Sequence, residues 1–531
     1  MEAACSYISY EQTGYFSKIV IDYLQQNEWL KQFYQHPPDI EGIKEAVANR
    51  KKFPHRRALA EELQKQYSGL KVSEKILQNI HLLSDENTFT VTTAHQLNIF
   101  TGPLYFIYKI LHAIKLAQEL KTALPAYNFV PVYYMGSEDA DLAELNNITV
   151  DGKRYEWQTK QTGAVGRMKV DKAFIKLIDE LQSQVSVLPH GNEIMQMFRQ
   201  AYSVDNTIQQ STLHFVNDCF GEYGLLVLIP DNTNLKKLFA DVVEKELTGQ
   251  FSRRAVHETT AVLEEQYKVQ APGRELNLFY LIDNKRERIE PEGLGFKVES
   301  LKLTWHKEEI LDELKQHPER FSPNVILRGV FQETVLPNIA FIGGGGELAY
   351  WLELKKVFAE ANTPYPVLLL RNSFLLAEEM WKEKAEKLSL DLKDFFASEH
   401  EVMTKIVAKH SSNRIGLNGQ LKKFEDLYNE IISFTTQVDI TLNEHVAALR
   451  AKAIHKLQEL EKKILRAEKR KFETELRQIQ KIKSALFPNN SLQERVENIT
   501  GVYSKYGKEL IDVLLQYSHG ITPNFGIISL S

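Results

Sequence analysis

The chain has 531 residues, of which 43% are hydrophobic and 25% are charged, and its formal net charge is −5. This composition is ordinary for a globular protein and argues against intrinsic disorder. One hydrophobic core rarely grows to this length, so we expect two or three structural units. The slightly negative charge provides no overall basic field, and nucleic acid is therefore not an expected partner.

The two cysteines, Cys5 and Cys219, lie far apart and form no CxxC pair. We therefore expect neither a disulfide framework nor a cysteine-based zinc site, and no HExxH or similar spacing suggests another metal. The first residues lack a basic segment followed by a long apolar one, and no stretch has about 18 uninterrupted apolar residues. The expected location is the cytoplasm, with no membrane partner.

Strand and helix patterns alternate from residue 88 onward. TFTVTTA predicts a strand, GPLYFIYKILHAIKLAQELK predicts a helix, and NFVPVYYMG predicts a second strand, which together form the unit that builds a parallel sheet. Further short apolar runs predict strands at 223–230, 324–330, 337–344 and 365–371. ELAYWLELKKVFAEAN, between the last two, has helical periodicity. The alternation predicts an α/β fold with a Rossmann-like, mostly parallel sheet.

The core is predicted over residues 1–375, with inserted lobes near 151–220 and 232–322, where helix and strand signals are mixed. Residues 488–531 are predicted as a C-terminal helical segment that packs back on the core.

Residues 376–487 are predicted to form an α-helical coiled-coil arm. The part 438–486 contains no Pro or Gly, and its apolar residues have heptad spacing, as at Leu442, Val446 and Leu449, which is interrupted before Leu476. Such a stripe requires a second helix, either from the same chain as an antiparallel hairpin or from a second copy in a homodimer.

The first candidate site segment follows the first core strand. Ligands of α/β proteins bind beyond the carboxyl ends of the strands, so His95 is a candidate for accepting a proton there. Its spacing to Asn98 is reminiscent of the HxGH signature of class I nucleotidylyl transferases. The candidate binding residues of this segment are Gln96, Asn98, Thr101 and Gly102. The alternative is a simple capping loop, in which Thr101 caps the next helix.

The second segment contains Glu138, Asp139 and Asp141 directly after the second strand. Three carboxylates at a strand end can hold an ammonium group or a ribose, or supply a general base. We treat them as candidate catalytic residues. The alternative is an acidic helix start with Ser137 as the N-cap.

The third segment has four glycines, which end a predicted strand and open a helix, although it is neither a Walker A motif nor a GxGxxG fingerprint. Such a turn exposes backbone N–H groups to a phosphate or carboxylate. Arg328, placed at the end of the predicted strand 324–330, can bind such a group bidentately. The other candidate binding residues are Tyr105, Gln332, Glu333, Gly343, Gly344, Gly345, Gly346, Glu347, Tyr350, Trp351, Arg371 and Asn372.

Three alternatives remain open for this segment: a ligand-free turn, an ion pair of Arg328 with Glu333 or Glu347, and aromatic side chains that belong to the helix core. If the site exists, the segments 95–103, 136–141 and 343–347 converge on one rim of the sheet.

These segments together resemble one family, the BshC cysteine-adding enzymes of bacillithiol biosynthesis. The resemblance is carried by TTAHQLNIFTGPLYFIYKILHAIKLA, PVYYMGSEDADLAELN, SPNVILRGVFQETVLPNIAFIGGGGELAYWLELKKVF and SLQERVENITGVYSKYGKELID. It implies a Rossmann-type core with connecting lobes, similar to class I aminoacyl-tRNA synthetases, and a coiled-coil arm associated with dimerisation. It also implies a ligase that joins cysteine to the amine of glucosaminyl-malate through an amide bond, the last step of bacillithiol synthesis.

The chain departs from the family pattern at several positions. Ala94, His95 and Gln96 stand where the family commonly has GQQ, and Asn98 stands where glycine is common. Ala140 replaces a histidine that commonly lies between two acids, so a histidine base at that point cannot be carried over. The glycine turn reads GGGGE where GGPAE-like versions occur.

An amide bond requires activation of the cysteine carboxylate, and a class I-like core suggests an adenylate or acyl phosphate made from a nucleotide such as ATP. The sequence leaves open the nucleotide, the general base and any metal requirement. One rival function is a nucleotidylyl transferase or amino-acid-activating enzyme that acts on another amine, weakened by the lack of a KMSKS-like lysine motif. The other is a non-enzymatic coiled-coil scaffold, which does not explain the polar residues at several strand ends.

Overall fold

We analysed a computed structural model of the protein, which describes residues 1–270, 273–410 and 417–531. Contacts divide the chain into two compact units: Met1–Leu375 with Ser491–Ile528, and Leu376–Asn490 with Ser529–Ser531. Residues 271–272 of the second predicted lobe and 411–416 of the predicted arm lie outside the described residues.

The strands, in chain order, are β1 Ala3–Ile8, β2 Thr88–Gln96, β3 Asn128–Gly136, β4 Asn147–Val150, β5 Lys153–Glu156, β6 Leu226–Leu228, β7 Leu278–Ile282, β8 Lys285–Arg288, β9 Glu290–Glu292, β10 Gly295–Val298, β11 Leu303–His306, β12 Phe321–Pro323, β13 Asn338–Gly343, β14 Val367–Leu370, β15 Ser373–Glu378 and β16 Phe525–Leu530.

The helices are α1 Tyr10–Thr13, α2 Lys18–Leu24, α3 Ile40–Arg50, α4 Arg56–Gln66, α5 Glu74–Leu82, α6 Tyr105–Ala123, α7 Leu142–Leu145, α8 Lys172–Val185, α9 Gly191–Ala201, α10 Ile208–Phe220, α11 Thr233–Leu238, α12 Ala240–Gly249, α13 Phe251–Leu263, α14 Lys307–Gln316, α15 Val325–Val335, α16 Gly345–Trp351, α17 Lys355–Glu360, α18 Glu379–Lys387, α19 Glu399–His410, α20 Asn418–Val438, α21 Leu442–Lys469, α22 Glu473–Leu486, α23 Ile499–Tyr506 and α24 Glu509–Tyr517.

A five-stranded parallel sheet lies at the centre of the first unit, in the order β14-β13-β2-β3-β6. The chain proceeds outward from β2 through β3 to β6, and in the opposite direction from β13 to β14. The order therefore reverses between β2 and β13, which is the switch point where doubly wound sheets bind ligands. The predicted Rossmann-like parallel sheet is confirmed.

The central strands are apolar because both faces of the sheet are covered. Phe89 and Val91 of β2 and Ile339 and Ile342 of β13 are fully buried. They belong to one core cluster with Ala113 of α6 and residues of α3. Parallel strands buried on both sides have few polar positions, which explains why they could be predicted as continuous apolar runs.

One predicted strand is wrong. The run 324–330 lies at the start of a helix, α15, and not in the sheet. The side chain of Asn324 accepts hydrogen bonds from the backbone N–H groups of Ile326 and Leu327, at 2.9 and 3.4 Å, and so caps the helix. Ile326, Leu327 and Val330 are buried at helical spacing. In a short apolar run, the spacing of the residues does not distinguish a strand from a buried helix. Here the N-cap residue Asn324 is the signal for a helix.

Smaller corrections concern the ends of elements. The predicted helix after the glycine turn is two helices, α16 and α17. The apolar tail of the predicted C-terminal helical segment forms a strand, β16, which lies between β1 and β15 in a three-stranded sheet.

The two regions predicted as insertions contain small sheets and helices of their own. Residues 151–220 contain the second strand of the β4–β5 hairpin and the helices α8, α9 and α10. Residues 232–322 contain α11 to α14 and two small sheets, β12-β7-β8 and β11-β10-β9.

The second unit is mostly helical. Helix α20 packs against α21 across a short turn, as an antiparallel hairpin. A 3-10 turn, Arg470–Phe472, separates α21 from α22, at the point where the heptad spacing of the sequence is interrupted. Three apolar residues near the turn between α20 and α21 have more than two-thirds of their surface exposed: Phe434 (67%), Val438 (68%) and Ile440 (70%). In the described part of the chain, no helix is long and apolar enough to cross a membrane.

Candidate functional site

A cavity of about 510 Å³ lies at the carboxyl ends of β2 and β13, at the switch point of the sheet. This volume is in the range of small-molecule sites. All three segments that were predicted to converge contribute to it, which confirms that part of the prediction. Its walls are formed by Ala94, His95, Gln96, Tyr105, Lys109, Tyr134, Gly136, Asp139, Val325, Arg328, Gly344, Gly345, Gly346, Glu347, Tyr350, Arg371 and Arg495.

Asp139 is the acidic side chain on the β3 side of the cavity. Its Oδ2 accepts hydrogen bonds from Gln96 Nε2 at 3.0 Å and from Arg328 Nη2 at 3.4 Å. Burial opposes ionisation, but the Arg328 guanidinium and the Gln96 hydrogen bond outweigh it and lower the pKa of Asp139. Asp139 is therefore a carboxylate at neutral pH, suited to holding an ammonium group more than to accepting a proton.

His95 lines the cavity at the end of β2. Its ring packs edge-on against Tyr105, with 5.2 Å between ring centroids, and is tilted against Phe106. Burial and the nearby charges of Lys109 and Arg371 hold its pKa well below the usual range, so the imidazole is neutral. A neutral imidazole has one nitrogen that can accept a hydrogen bond or a proton.

The start of the glycine turn is occupied by the side chain of Glu347. The N–H of Gly344 donates to Glu347 Oε2 at 2.8 Å, and the same carboxylate pairs with Lys109 of α6. Lys109 Nζ also donates to the carbonyl oxygen of Ala94 at 2.8 Å. The N–H of Gly344 is therefore already satisfied, which corrects the expectation that it is exposed to a ligand phosphate. Gly346 has open space where a side chain would begin.

Arg371 reaches the cavity from the end of β14, but its hydrogen bonds are made inside the protein. Its guanidinium donates to the carbonyl of Asn372 at 3.0 Å, to Ser373 Oγ at 2.8 Å and to Glu494 Oε1 at 2.7 Å. It also lies over the ring of Tyr105, 5.2 Å from the centroid. Arg371 and Glu494 are both buried, so this ion pair fixes the floor of the cavity.

Two of the predicted catalytic carboxylates do not line the cavity. Glu138 is buried in an ion pair with Lys236 of α11 and accepts a hydrogen bond from Ser322 Oγ at 3.1 Å. Asp141 is exposed at the N-terminus of the short helix α7. The chain turns directly after β3, where the N–H of Asp139 donates to the carbonyl of Gly136, and of the three carboxylates only Asp139 lines the cavity.

The distal half of the first segment also lies away from the cavity. Asn98 donates to the carbonyl of Glu144 at 3.4 Å, and Gly102 packs against the Asn98 side chain. Thr101 has a φ of 71° and caps no helix, because α6 begins at Tyr105. Asn498 donates to the carbonyl of Gly102 at 2.5 Å, so this loop binds the C-terminal segment of the chain.

The remaining predicted binding residues are structural in the described geometry. Glu333 is buried with Arg50 on α3 and accepts from Gln332 Nε2 at 2.9 Å. Trp351 stacks on Phe341, with 4.2 Å between ring centroids. Gly343 ends β13, and Asn372 donates through Nδ2 to the carbonyl of His519 at 2.8 Å. None of the predicted residues in this group lines the cavity.

Two cationic side chains of the cavity, Lys109 and Arg495, were not among the residues predicted from the sequence. Lys109 is a buried lysine on the apolar face of α6, and a charge inside an apolar stripe is the signal that could have revealed it. Arg495 lies in a 3-10 turn, Gln493–Arg495, 125 residues after Leu370, the last residue of β14. No local pattern connects it with the cavity.

The cavity has an excess of positive charge. Lys109, Arg328, Arg371 and Arg495 face two carboxylates, Asp139 and Glu347. Such a balance favours anionic ligands. Among the described residues, no group of three or more His, Cys, Asp or Glu side chains is placed to hold a metal ion.

Two family models match the chain. One is the bacillithiol biosynthesis BshC N-terminal Rossmann-like domain, over residues 1–372, and the other is the BshC C-terminal coiled-coil domain, over residues 374–530. The chain belongs to the BshC family. The Rossmann-like core and the coiled-coil domain expected from the sequence are thereby confirmed.

BshC relatives match the chain over nearly its whole length. The protein of Flavobacterium johnsoniae is 40% identical over 98% of this chain and 99% of its own length. That of Christiangramia forsetii is 39% identical over 98% of both chains. That of Bacillus cytotoxicus is 26% identical over 96% of this chain and 98% of its own. Each is named "Putative cysteine ligase BshC".

A solved structure titled "putative arginyl t-RNA synthetase" from Campylobacter jejuni covers 84% of this BshC chain and 99% of its own, with 12% identity and a TM-score of 0.20. This score carries no argument about the fold, and the expected similarity to class I synthetases stays a prediction.

Proposed function

We propose that this BshC protein is a cysteine ligase, which joins the carboxyl group of cysteine to the amine of glucosaminyl-malate and so completes bacillithiol synthesis in the cytoplasm. The observation that supports this most directly is the cationic cavity at the switch point of a BshC Rossmann-like core. The proposed substrates bring three carboxylates, and the cavity has four cationic side chains that face two carboxylates, Asp139 and Glu347.

In the proposed reaction, the bound ammonium group loses one proton to solvent, and its nitrogen attacks the carbonyl carbon of an activated cysteine. The activating group leaves with its bonding electrons, and the nitrogen loses a second proton. Asp139 holds the incoming ammonium through its carboxylate, because its pKa is low and it remains ionised. His95, a neutral imidazole in the same wall, accepts the second proton, because the nitrogen is far more acidic once it is bonded to the carbonyl carbon than as the free ammonium. Arg328 keeps Asp139 ionised and in place.

We propose that a nucleotide such as ATP supplies the activating group. The anionic phosphates of a nucleotide suit the positive excess of the cavity, and the switch point is where doubly wound cores bind nucleotides.

Purified protein incubated with glucosaminyl-malate, L-cysteine and ATP provides the test. We expect a product whose mass equals the sum of the two substrates minus water. Release of AMP would indicate an adenylate, and release of ADP an acyl phosphate. Transfer of cysteine to a different amine, with glucosaminyl-malate unreacted, would contradict the proposal and favour another amino-acid-activating enzyme.

We also propose that the helical hairpin α20–α21 forms a homodimer. The support is the apolar side chains around its turn, Phe434, Val438, Ile440 and Leu442, which are exposed in the single chain. Contiguous exposed apolar side chains commonly mark an interface. Sedimentation should give twice the mass of one chain, and a Phe434→Ser, Ile440→Ser variant should lower it. A wild-type protein that sediments as a monomer would exclude the dimer.

A further inference from the structure

The cationic side chains of the cavity differ in whether a carboxylate already neutralises them. Three are in ion pairs: Lys109 with Glu347, Arg328 with Asp139, and Arg371 with Glu494. Arg495 makes neither an ion pair nor a side-chain hydrogen bond within the described ranges of the chain. Its guanidinium carbon lies 6.0 Å from the ring centroid of Phe16.

The paired cations are costly to recruit for a ligand. Breaking a buried ion pair is strongly unfavourable, because one charge is left without its partner. Arg371 and Glu494 have side-chain exposures of 4% and 0%, so this cost applies in full to Arg371. Arg495 is exposed to solvent, and a ligand can reach it without breaking any existing pair.

The surroundings of Arg495 favour an anion. Burial of part of the side chain and the charge of Arg371 lower the pKa of Arg495. The neighbouring carboxylate, Glu494, is already occupied by Arg371, by Ser373 Oγ at 3.1 Å and by the N–H of Phe374 at 3.3 Å. A bound carboxylate would therefore offset a repulsion between two guanidinium groups that Glu494 offsets only in part.

Arg495 is also held in a defined place beside the glycine turn. The ring of Phe16 lies close to both: a Cβ atom added to Gly345 would be 3.5 Å from this ring, and the Arg495 guanidinium lies over it. The N–H of Arg495 donates to the carbonyl of Leu492 at 2.9 Å, and the adjacent Glu494 is buried. The turn is thus anchored, and less side-chain entropy is lost when Arg495 binds a ligand.

We propose that Arg495 is the residue of this cavity that binds a substrate carboxylate. The pairing is bidentate, since a guanidinium presents two parallel N–H groups to a carboxylate. The identity of the substrate rests on the proposed function. The carboxylate belongs either to the malyl group or to cysteine, and the experiment separates the two.

The test is calorimetric titration of the full-length protein with glucosaminyl-malate, L-malate and L-cysteine, each separately. Arg495→Gln should raise the Kd of the carboxylate donor at least tenfold, with an unchanged Tm, and Arg495→Lys should give an intermediate Kd. Arg57→Gln is the matched control: it removes one arginine charge from an exposed position on α4 and should leave every Kd unchanged.

The pattern of losses identifies the carboxylate. Weaker binding of glucosaminyl-malate and L-malate assigns Arg495 to the malyl group, and weaker binding of L-cysteine alone assigns it to cysteine. Unchanged Kd values for all three ligands in Arg495→Gln overturn the inference. If the wild-type protein binds L-malate in an Arg495-dependent way but binds neither glucosaminyl-malate nor cysteine, the proposed function fails and the carboxylate site stands. Absence of binding of all three overturns both.

Discussion

Arg328 and Asp139 join two elements that are 189 residues apart in sequence, with Arg328 Nη2 lying 3.4 Å from Asp139 Oδ2. Arg328 ends the first turn of α15, and Asp139 follows the carboxyl end of β3. The pair therefore connects the helix before β13 with the strand on the other side of β2, across the mouth of the cavity.

We expect Arg328→Ala to lower kcat/KM by about tenfold to several-thousandfold, since loss of one partner of a desolvated charge pair costs about 2–5 kcal/mol. Steady-state kinetics with the ligase assay check this. Arg328→Lys should recover only part of the activity, because lysine keeps the positive charge but lacks the two parallel N–H donors of the guanidinium. A double-mutant cycle with Asp139→Asn should show coupling. Early melting with normal turnover in both Arg328 variants would mean that Arg328 is only structural.

The ion pair of Arg50 and Glu333 should stabilise the fold without affecting the chemistry. Both side chains are buried, so Glu333→Gln leaves an unpaired guanidinium and should lower the free energy of unfolding by about 3–5 kcal/mol. Urea unfolding measures the loss, and kcat of the folded protein should not change. The control is Glu41→Gln, in an exposed pair with Lys44 on the same helix, which should cost less than about 1 kcal/mol. A lowered kcat in Glu333→Gln would show that Glu333 contributes to the reaction.

His112 should make the protein less stable in acid. Burial lowers its pKa to about 4, from an ordinary value of 6.5. Its Nδ1 accepts from the N–H of Asn372 at 3.2 Å, and its Nε2 lies 2.6 Å from the carbonyl of Gly520. This arrangement fits the neutral ring with its proton on Nε2, and a second proton on Nδ1 would face another donor.

The sign of this effect follows from proton binding. Between pH 6.5 and about 4, His112 takes up a proton in the unfolded chain but not in the folded one. The free energy of unfolding should therefore fall as the pH falls through this window, by about 3 kcal/mol from His112 alone. Urea unfolding of wild type and His112→Gln at several pH values checks this. Equal slopes in the two proteins would show that His112 does not contribute.

The cysteines should be dispensable for catalysis. Burial raises the pKa of both Cys5 and Cys219, so neither is a thiolate at neutral pH. A Cys5→Ala, Cys219→Ala protein should turn over within about twofold of wild type, because a partly buried, protonated thiol acts only as a small apolar group. A large loss of turnover at normal Tm would identify a catalytic thiol.

The sequence was sufficient to predict the sheet because each central strand is a short apolar run between turns, buried on both faces. It was not sufficient for α15, where the same kind of apolar run begins a capped helix. For the site, strand ends located His95, Gln96 and Asp139, since parallel strands bring their carboxyl ends to one edge. Whether Arg371 is free or paired depends on Glu494, which lies far away in sequence. Only the tertiary structure reveals such partners.

The account is tested most directly by measuring thiols in cells that lack this gene. We predict that deletion abolishes bacillithiol and causes glucosaminyl-malate to accumulate. The wild-type gene should restore bacillithiol, and the Arg328→Ala gene, expressed at the same level, should restore little of it. Unchanged bacillithiol in the deletion strain, with no accumulation of glucosaminyl-malate, would contradict the proposed function.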